Sequence, residues 1–154
     1  MNDAVLNAIE IAAEAHDGQV DGGGYSYIRH PLTVLRMVAK ELPDDADAQA
    51  AAVLHDVLED VSFMYPGGLM RRGVSLRAVE LVKAVTRGKE ETYEEFIDRV
   101  ASAGPVAITI KLADLGHNLS RMHCLPLDKR AKLEPRYLSA WEKLTAALGL
   151  HNGD

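Results

Sequence analysis

Residues 50–60 read Ala-Ala-Ala-Val-Leu-His-Asp-Val-Leu-Glu-Asp, five apolar side chains followed by four ionisable ones within six positions. A helix through the first half is apolar on nearly every side, so it has to run through a core. The second half then carries an imidazole and three carboxylates to the edge of that core. Unpartnered, such groups cost on the order of several kcal/mol each when buried, and a divalent cation is the commonest way to offset the cost. His55 with Glu59, and Asp56 with Glu59 and Asp60, are three or four apart and share one helix face. Neighbouring His55 and Asp56 diverge by about 100°, close enough to reach one ion. Spacing alone also permits a solvated helix end on which all four face water.

A second stripe bears on that choice. Lys111, Asp114, Asn118 and Arg121 recur at intervals of three and four on another segment with an apolar body, Val106 to Met122. Two polar stripes on two otherwise buried helices suggest one shared polar cleft. His30 follows a glycine-rich stretch, Gly18 to Gly24, and precedes Pro31 at a helix entrance. On its own it reads more readily as a capping or core histidine than as a ligand.

The rest of the chain predicts helices throughout. They cover Ala4–His16, a segment from Pro31 to near Pro43, Ala46–Asp60, Ser75–Val85, a segment opened by a Thr92–Glu95 capping box and closed near Gly104, Val106–Met122 and Lys129–Leu148. Tyr65 to Gly68 reads as a loop. Leu76, Val79, Val82 and Ala84 are expected to point inward, as are Leu133, Trp141 and Leu144. Aromatics are only 5% of 154 residues, which suits helix-on-helix packing better than a β-sandwich. The length fits one domain spanning 1–154.

Composition narrows the partners. The formal charge of −6 argues against long nucleic acid, whose binding needs clustered Lys and Arg, yet leaves room for a small polyphosphate in a local cleft. Cys124 is the single cysteine, so no intrachain disulfide forms. With neither a leader-like stretch nor a membrane-spanning one, a cytoplasmic setting is expected.

Five stretches occur in one order: Ala15-His16-Asp17-Gly18-Gln19, Tyr27-Ile28-Arg29-His30-Pro31, the HDVLED segment, Lys111-Leu112-Ala113-Asp114, and Asn118-Leu119. In that order the chain resembles the HD superfamily, and within it the hydrolase domain of RelA/SpoT proteins and their small stand-alone homologues, over about residues 5 to 145. The resemblance implies an all-α HD-domain bundle of six to eight helices with a metal site in a central cleft. It implies a metal-dependent hydrolase that removes pyrophosphate from the 3′ position of ppGpp using Mn²⁺. Residue by residue, His30, His55, Asp56 and Asp114 take the metal-ligand positions. Glu59 and Asp60 take those of the acidic pair that orients and deprotonates water, and Asn118 lies near the substrate's sugar or phosphate. Ligand chemistry by itself suits Mn²⁺, Fe²⁺ or Zn²⁺. Lys111 and Arg121 are candidate phosphate contacts, with Arg99 and Tyr93 behind them, and Tyr137 is a candidate cleft wall. His16, His117, His123 and His151 read as structural or exposed.

Two departures from the family pattern concern the base pocket. Asp21 stands where the relatives place an Arg that clamps guanine, a change of sign, and Ser26 stands where they place Pro. The function expected is therefore hydrolysis of a nucleotide-type pyrophosphate or phosphate ester, with ppGpp the leading substrate. Another nucleotide, or a hydrolysis-deficient nucleotide-binding module, is the alternative. Oligomeric state is not legible.

Overall fold

A computed structural model describes residues 2–152, apart from the side chains of Asp60 and Asn152. It is all-α, with helices α1 (Asp3–Ala15), α2 (Arg29–Glu41), α3 (Ala46–Leu54), α4 (Val57–Asp60), α5 (Pro66–Arg71), α6 (Leu76–Ala84), α7 (Tyr93–Ser102), α8 (Pro105–Ser120) and α9 (Leu127–Asn152), and a 3-10 turn at Met122–Cys124. Counting α3 and α4 as one interrupted helix gives eight. Among the described residues there is no strand; Val20 and Ser26 form an isolated antiparallel bridge. None of these helices is long and apolar enough to cross a membrane.

The helix starts follow from local chemistry. Asn2, Asp45, Ser75 and Thr92 each accept a backbone N–H of the first turn through the side chain, and Pro105 opens α8. His16 caps the C-terminus of α1, and Gly18 two residues on turns the chain away in the left-handed region, φ 77°, where a Cβ would be strained.

Apolar α3 lies at the centre of the fold, packed on α1, α2, α6 and α8. Ala50, Ala51, Ala52, Val53 and Leu54 are all buried. A second core of Phe96, Ile97, Val100, Ile108, Leu115, Ala140 and Leu144 joins α7, α8 and α9. Helix α8 serves both cores, Ala107, Ile110 and Ala113 facing the first and Ile108 and Leu115 the second. Burial on two sides explains why its β-branched start is helical and not a strand.

Several expectations are corrected. The helix foreseen as continuous over Ala46–Asp60 breaks at His55 and Asp56. Residues 66–68, read as loop, begin α5, because Pro66 sits in its first turn and Leu69 is fully buried behind it. Leu76, expected inward, is 61% exposed at the first position of α6. Trp141, read as core, lies partly exposed across Gly116, where an added Cβ would meet its Cζ3 at 3.3 Å. Glycine at 116 thus lets α9 approach α8 closely.

Candidate metal centre and its flanking cavities

The break between α3 and α4 shapes the site. Asp56 adopts φ −103°, ψ −3°, so two adjacent side chains that a regular helix would splay by about 100° turn to one point. His55 Nε2 lies 3.0 Å from Asp56 Oδ2. His30, in the first turn of α2, brings its Nε2 to 3.2 Å from His55 Nε2 and 2.9 Å from Asp114 Oδ1. Asp114 comes from the middle of α8, its Oδ1 3.4 Å from His55 Nε2. Atoms of His30, His55 and Asp56 lie within 4.8 Å of one another, a spacing able to hold a metal ion. His30, His55 and Asp114 are buried.

Each group is held from behind. Ala52 O lies 2.7 Å from His55 Nδ1, so Nδ1–H donates to that carbonyl and Nε2 is turned to the cluster. The Tyr27 hydroxyl donates to Asp56 Oδ2. Lys111 Nζ donates to Asp114 Oδ2 at 2.7 Å, and Asn118 Nδ2 to Oδ1 at 3.0 Å. His117 Nδ1 is 2.7 Å from His30 Nδ1, the rings stacked.

The electrostatics of this cluster call for positive charge. Burial would depress His55, but the charges of Asp56 and Asp114 outweigh it and hold the imidazole well above its ordinary value. Burial would raise Asp114, but Lys111 and then His55 hold it well below. Burial, with His30 and Arg121 nearby, lowers His117 to about 4, so it is neutral and can accept a hydrogen bond from His30. Two imidazoles and two carboxylates, converging and positioned by partners on their far sides, suit a borderline divalent cation.

Two cavities flank the cluster and share Tyr27, Asn118 and Tyr137 as walls. The first, about 390 Å³, lies under loop residues 19–23 and is lined by Asp21, Arg121, Leu125 and Leu133 among others. The second, about 330 Å³, holds Asp56, Glu59, Arg87, Lys111, Asp114 and Arg136.

Most candidate residues therefore meet in one place. Glu59 lines the second cavity, its Oε1 accepting the Arg87 N–H at 2.6 Å. Asp60 belongs to α4, and its side chain lies outside the described residues. Lys111, Asn118, Arg121 and Tyr137 line one cavity or both. Arg99 does not join them. It donates to Glu91 and to the carbonyls of Lys83, Ala84 and Thr86, tying the end of α6 to α7, which corrects its expected place in the cleft.

Asp21 is also more than a sign change. Its Oδ1 accepts from Gly23 N and Tyr25 N at 2.8 and 3.0 Å, and its Oδ2 is 3.4 Å from Arg121 Nη2. It organises the glycine loop, with Gly24 at φ 83° completing the turn.

Reading the sequence missed three residues. His117, taken as structural or exposed, lies against His30, and its position three after Asp114 on the same stripe is the signal that could have found it. Tyr27 holds Asp56. Arg87 has no local signal, since it reaches Glu59 from a loop 28 residues away.

The HD domain family model matches residues 8–151. The bifunctional (p)ppGpp synthase/hydrolase SpoT of Escherichia coli K12 is 34% identical over 152 residues, covering 92% of this chain and 21% of the relative. The guanosine-3′,5′-bis(diphosphate) 3′-pyrophosphohydrolase of Vibrio cholerae is 32% identical over 160 residues, covering 97% and 22%. The chain thus spans about a fifth of the length of these curated relatives. A solved structure of a metazoan SpoT ortholog, described as hydrolysing ppGpp, superposes with a TM-score of 0.80 at 24% identity over 99% of this chain and 89% of that one. It is similar in fold.

Proposed function

The chain belongs to the HD domain family, and on that premise we propose that it is a metal-dependent phosphohydrolase of nucleotide-type pyrophosphate or phosphate esters, with guanosine 3′,5′-bis(diphosphate) the leading substrate. The observation that carries this is the convergence of His30, His55, Asp56 and Asp114 between two cavities of different chemistry. The 3′-pyrophosphohydrolase activity named for the relatives supports the substrate class.

His30, His55, Asp56 and Asp114 would hold the cation, Mn²⁺ first, with Fe²⁺ or Zn²⁺ compatible with the same donors. When bound, such an ion acidifies water and neutralises phosphoryl oxygens. Glu59, aimed by the Arg87 amide, accepts the proton of the attacking water, with Asp60 as its acidic partner. Lys111 keeps Asp114 ionised, Asn118 fixes its Oδ1, and Asn118 also faces the substrate. Arg121 and Tyr137 line the space for the organic part of a nucleotide.

Asp21 favours a second reading for the base alone, because its carboxylate sits beside Arg121 at the rim of the first cavity. A nucleotide with another base would use the same hydrolytic groups. Release of phosphate and pyrophosphate from ppGpp, GTP, dNTPs and nucleoside monophosphates, with Mn²⁺ and with chelator, tests the proposal. Metal-dependent pyrophosphate release from ppGpp is the expected result. Turnover of a different nucleotide moves the substrate, and tight binding without turnover makes the chain a nucleotide-binding module.

A further inference from the structure

One buried polar group takes no part in the chemistry described so far. His16 closes α1 and is 2% exposed. Its Nδ1 lies 2.8 Å from Gln19 Oε1, an oxygen that only accepts, so Nδ1 carries the hydrogen. Nε2 is buried and has no hydrogen-bond partner among the described residues. A buried nitrogen left unpaired is a standing cost, and a phenyl ring would fill the same space without it. What the imidazole offers and a phenyl ring does not is the hydrogen bond to Gln19. From Gln19 two short steps lead to the metal centre. Its backbone carbonyl accepts the N–H of Tyr27 at 2.9 Å. The Tyr27 hydroxyl then donates to Asp56 Oδ2, the oxygen that lies 3.0 Å from His55 Nε2. The His16 ring also packs directly on Tyr27, centroids 4.9 Å apart, and Tyr27 in turn stands 5.9 Å from the ring of His30. Tyr27 lies outside α1 and α2, so these contacts and not helical geometry set its direction.

We propose that His16 is a positioning residue of the metal centre, which acts through Gln19 and Tyr27 to aim Asp56 Oδ2 and so sets the affinity of the site for its cation. The inference rests on the reading of His30, His55, Asp56 and Asp114 as metal ligands, and adds to it a support that begins at the end of α1. His55 and Asp114 are steadied from their own helices, by Ala52 O in α3 and by Lys111 and Asn118 in α8. Asp56 sits at the break between α3 and α4, and its hydroxyl donor comes from the α1–α2 loop. That loop is held in place by the His16–Gln19–Tyr27 contacts. Outer groups of this kind fix a ligand's orientation without touching the ion.

Calorimetric titration of Mn²⁺ into the metal-free full chain tests this. The proteins are wild type, Tyr27→Phe, His16→Phe, which keeps a ring against Tyr27 and removes the donor, and His16→Asn, whose amide can donate to Gln19 in place of Nδ1. Tyr27→Phe and His16→Phe are each expected to weaken Mn²⁺ binding about tenfold, and His16→Asn to recover most of that loss. The double variant H16F/Y27F should bind no more weakly than Tyr27→Phe alone, because both changes cut one path. In metal-free His16→Phe the lost hydrogen bond and the removed unpaired nitrogen offset each other, so its thermal midpoint should stay near that of wild type. Lost affinity with an unmoved midpoint separates positioning from a general loosening of the fold. Wild-type affinity in His16→Phe, no recovery in His16→Asn, a multiplied loss in the double variant, or a loss that only follows a fallen midpoint would overturn the role. Gln19→Leu cuts the same hydrogen bond from its other side and should repeat the loss, which keeps the test decisive if His16→Phe does not fold. Failure of the wild type to bind Mn²⁺ removes the metal centre and the positioning role with it, whereas binding that the His16 and Gln19 variants leave unchanged removes that role alone.

Discussion

The two cavities beside the ligand cluster share walls but differ in how they are built. The one under residues 19–23 mixes an ion pair, Asp21 with Arg121, with apolar Met122, Leu125 and Leu133. The other is almost wholly polar, with three carboxylates facing three cations. The first suits a body with shape and a few hydrogen-bonding edges, the second a compact polyanion whose charge must be matched. A substrate that uses both has an organic part and a phosphate part joined near His30 and Asp114.

The largest effect is expected from removing a member of the cluster that both cavities flank. Asp56→Ala should lower turnover about a thousandfold or more and strip bound metal, as read by elemental analysis beside a pyrophosphate-release assay. Retained metal and retained turnover would disprove the assigned centre. Glu59→Gln should cost about 10²- to 10³-fold in turnover with metal content intact, since it removes a proton acceptor and not a ligand. An equal loss of metal would show that Glu59 belongs to the ligand set. To sharpen the contrast, Asp21→Ala should loosen the glycine loop and release Arg121, raising KM for the nucleotide about tenfold. Pyrophosphate affinity should stay as in the wild type, and a parallel loss there would mean that the cavities do not act separately.

The smallest effect concerns the frame of the second cavity. Hydrogen bonds from Arg99 lower Glu91 from 4.5 to about 2. A depressed folded value contributes stability above the unfolded pKa and loses it as pH falls, here between about 4.5 and about 2. Because the pair is partly solvated, the contribution is at most about 1 kcal/mol. Urea unfolding at pH 6 and pH 3 should show a shallower pH dependence in Glu91→Gln, and an unchanged slope would mean that Arg99 holds the joint through the carbonyls alone.

What was legible in the sequence is what local patterning encodes. A run of apolar residues ending in charges announces a buried polar site, and α3 with His55 and Asp56 follows that rule, as does the stripe on α8. The break at residues 55–56 was hidden because hydrophobic periodicity continues through it, and only the convergence of side chains from α2 and α8 makes it favourable. Pro66-Gly67-Gly68 carried turn signals that burial of Leu69 overrides. Arg99 sits on the right helix but on carbonyls of α6, a partner no spacing rule reveals. Arg87 and Arg136 meet only across Tyr93, one from the α6–α7 loop and one from α9. Tertiary placement decided those cases.

The 84-residue separation between His30 and Asp114 also bears on the order in which this chain folds. Closing so long a loop costs chain entropy before any contact rewards it, so the donors meet late, after α2, α3 and α8 have docked. An unfolded chain offers these donors scattered and the folded one offers them converged, so the binding energy of the proposed metal would add to native stability. During synthesis the cluster cannot close until Asp114 has emerged, so any shorter nascent fragment lacks one of the four converging donors.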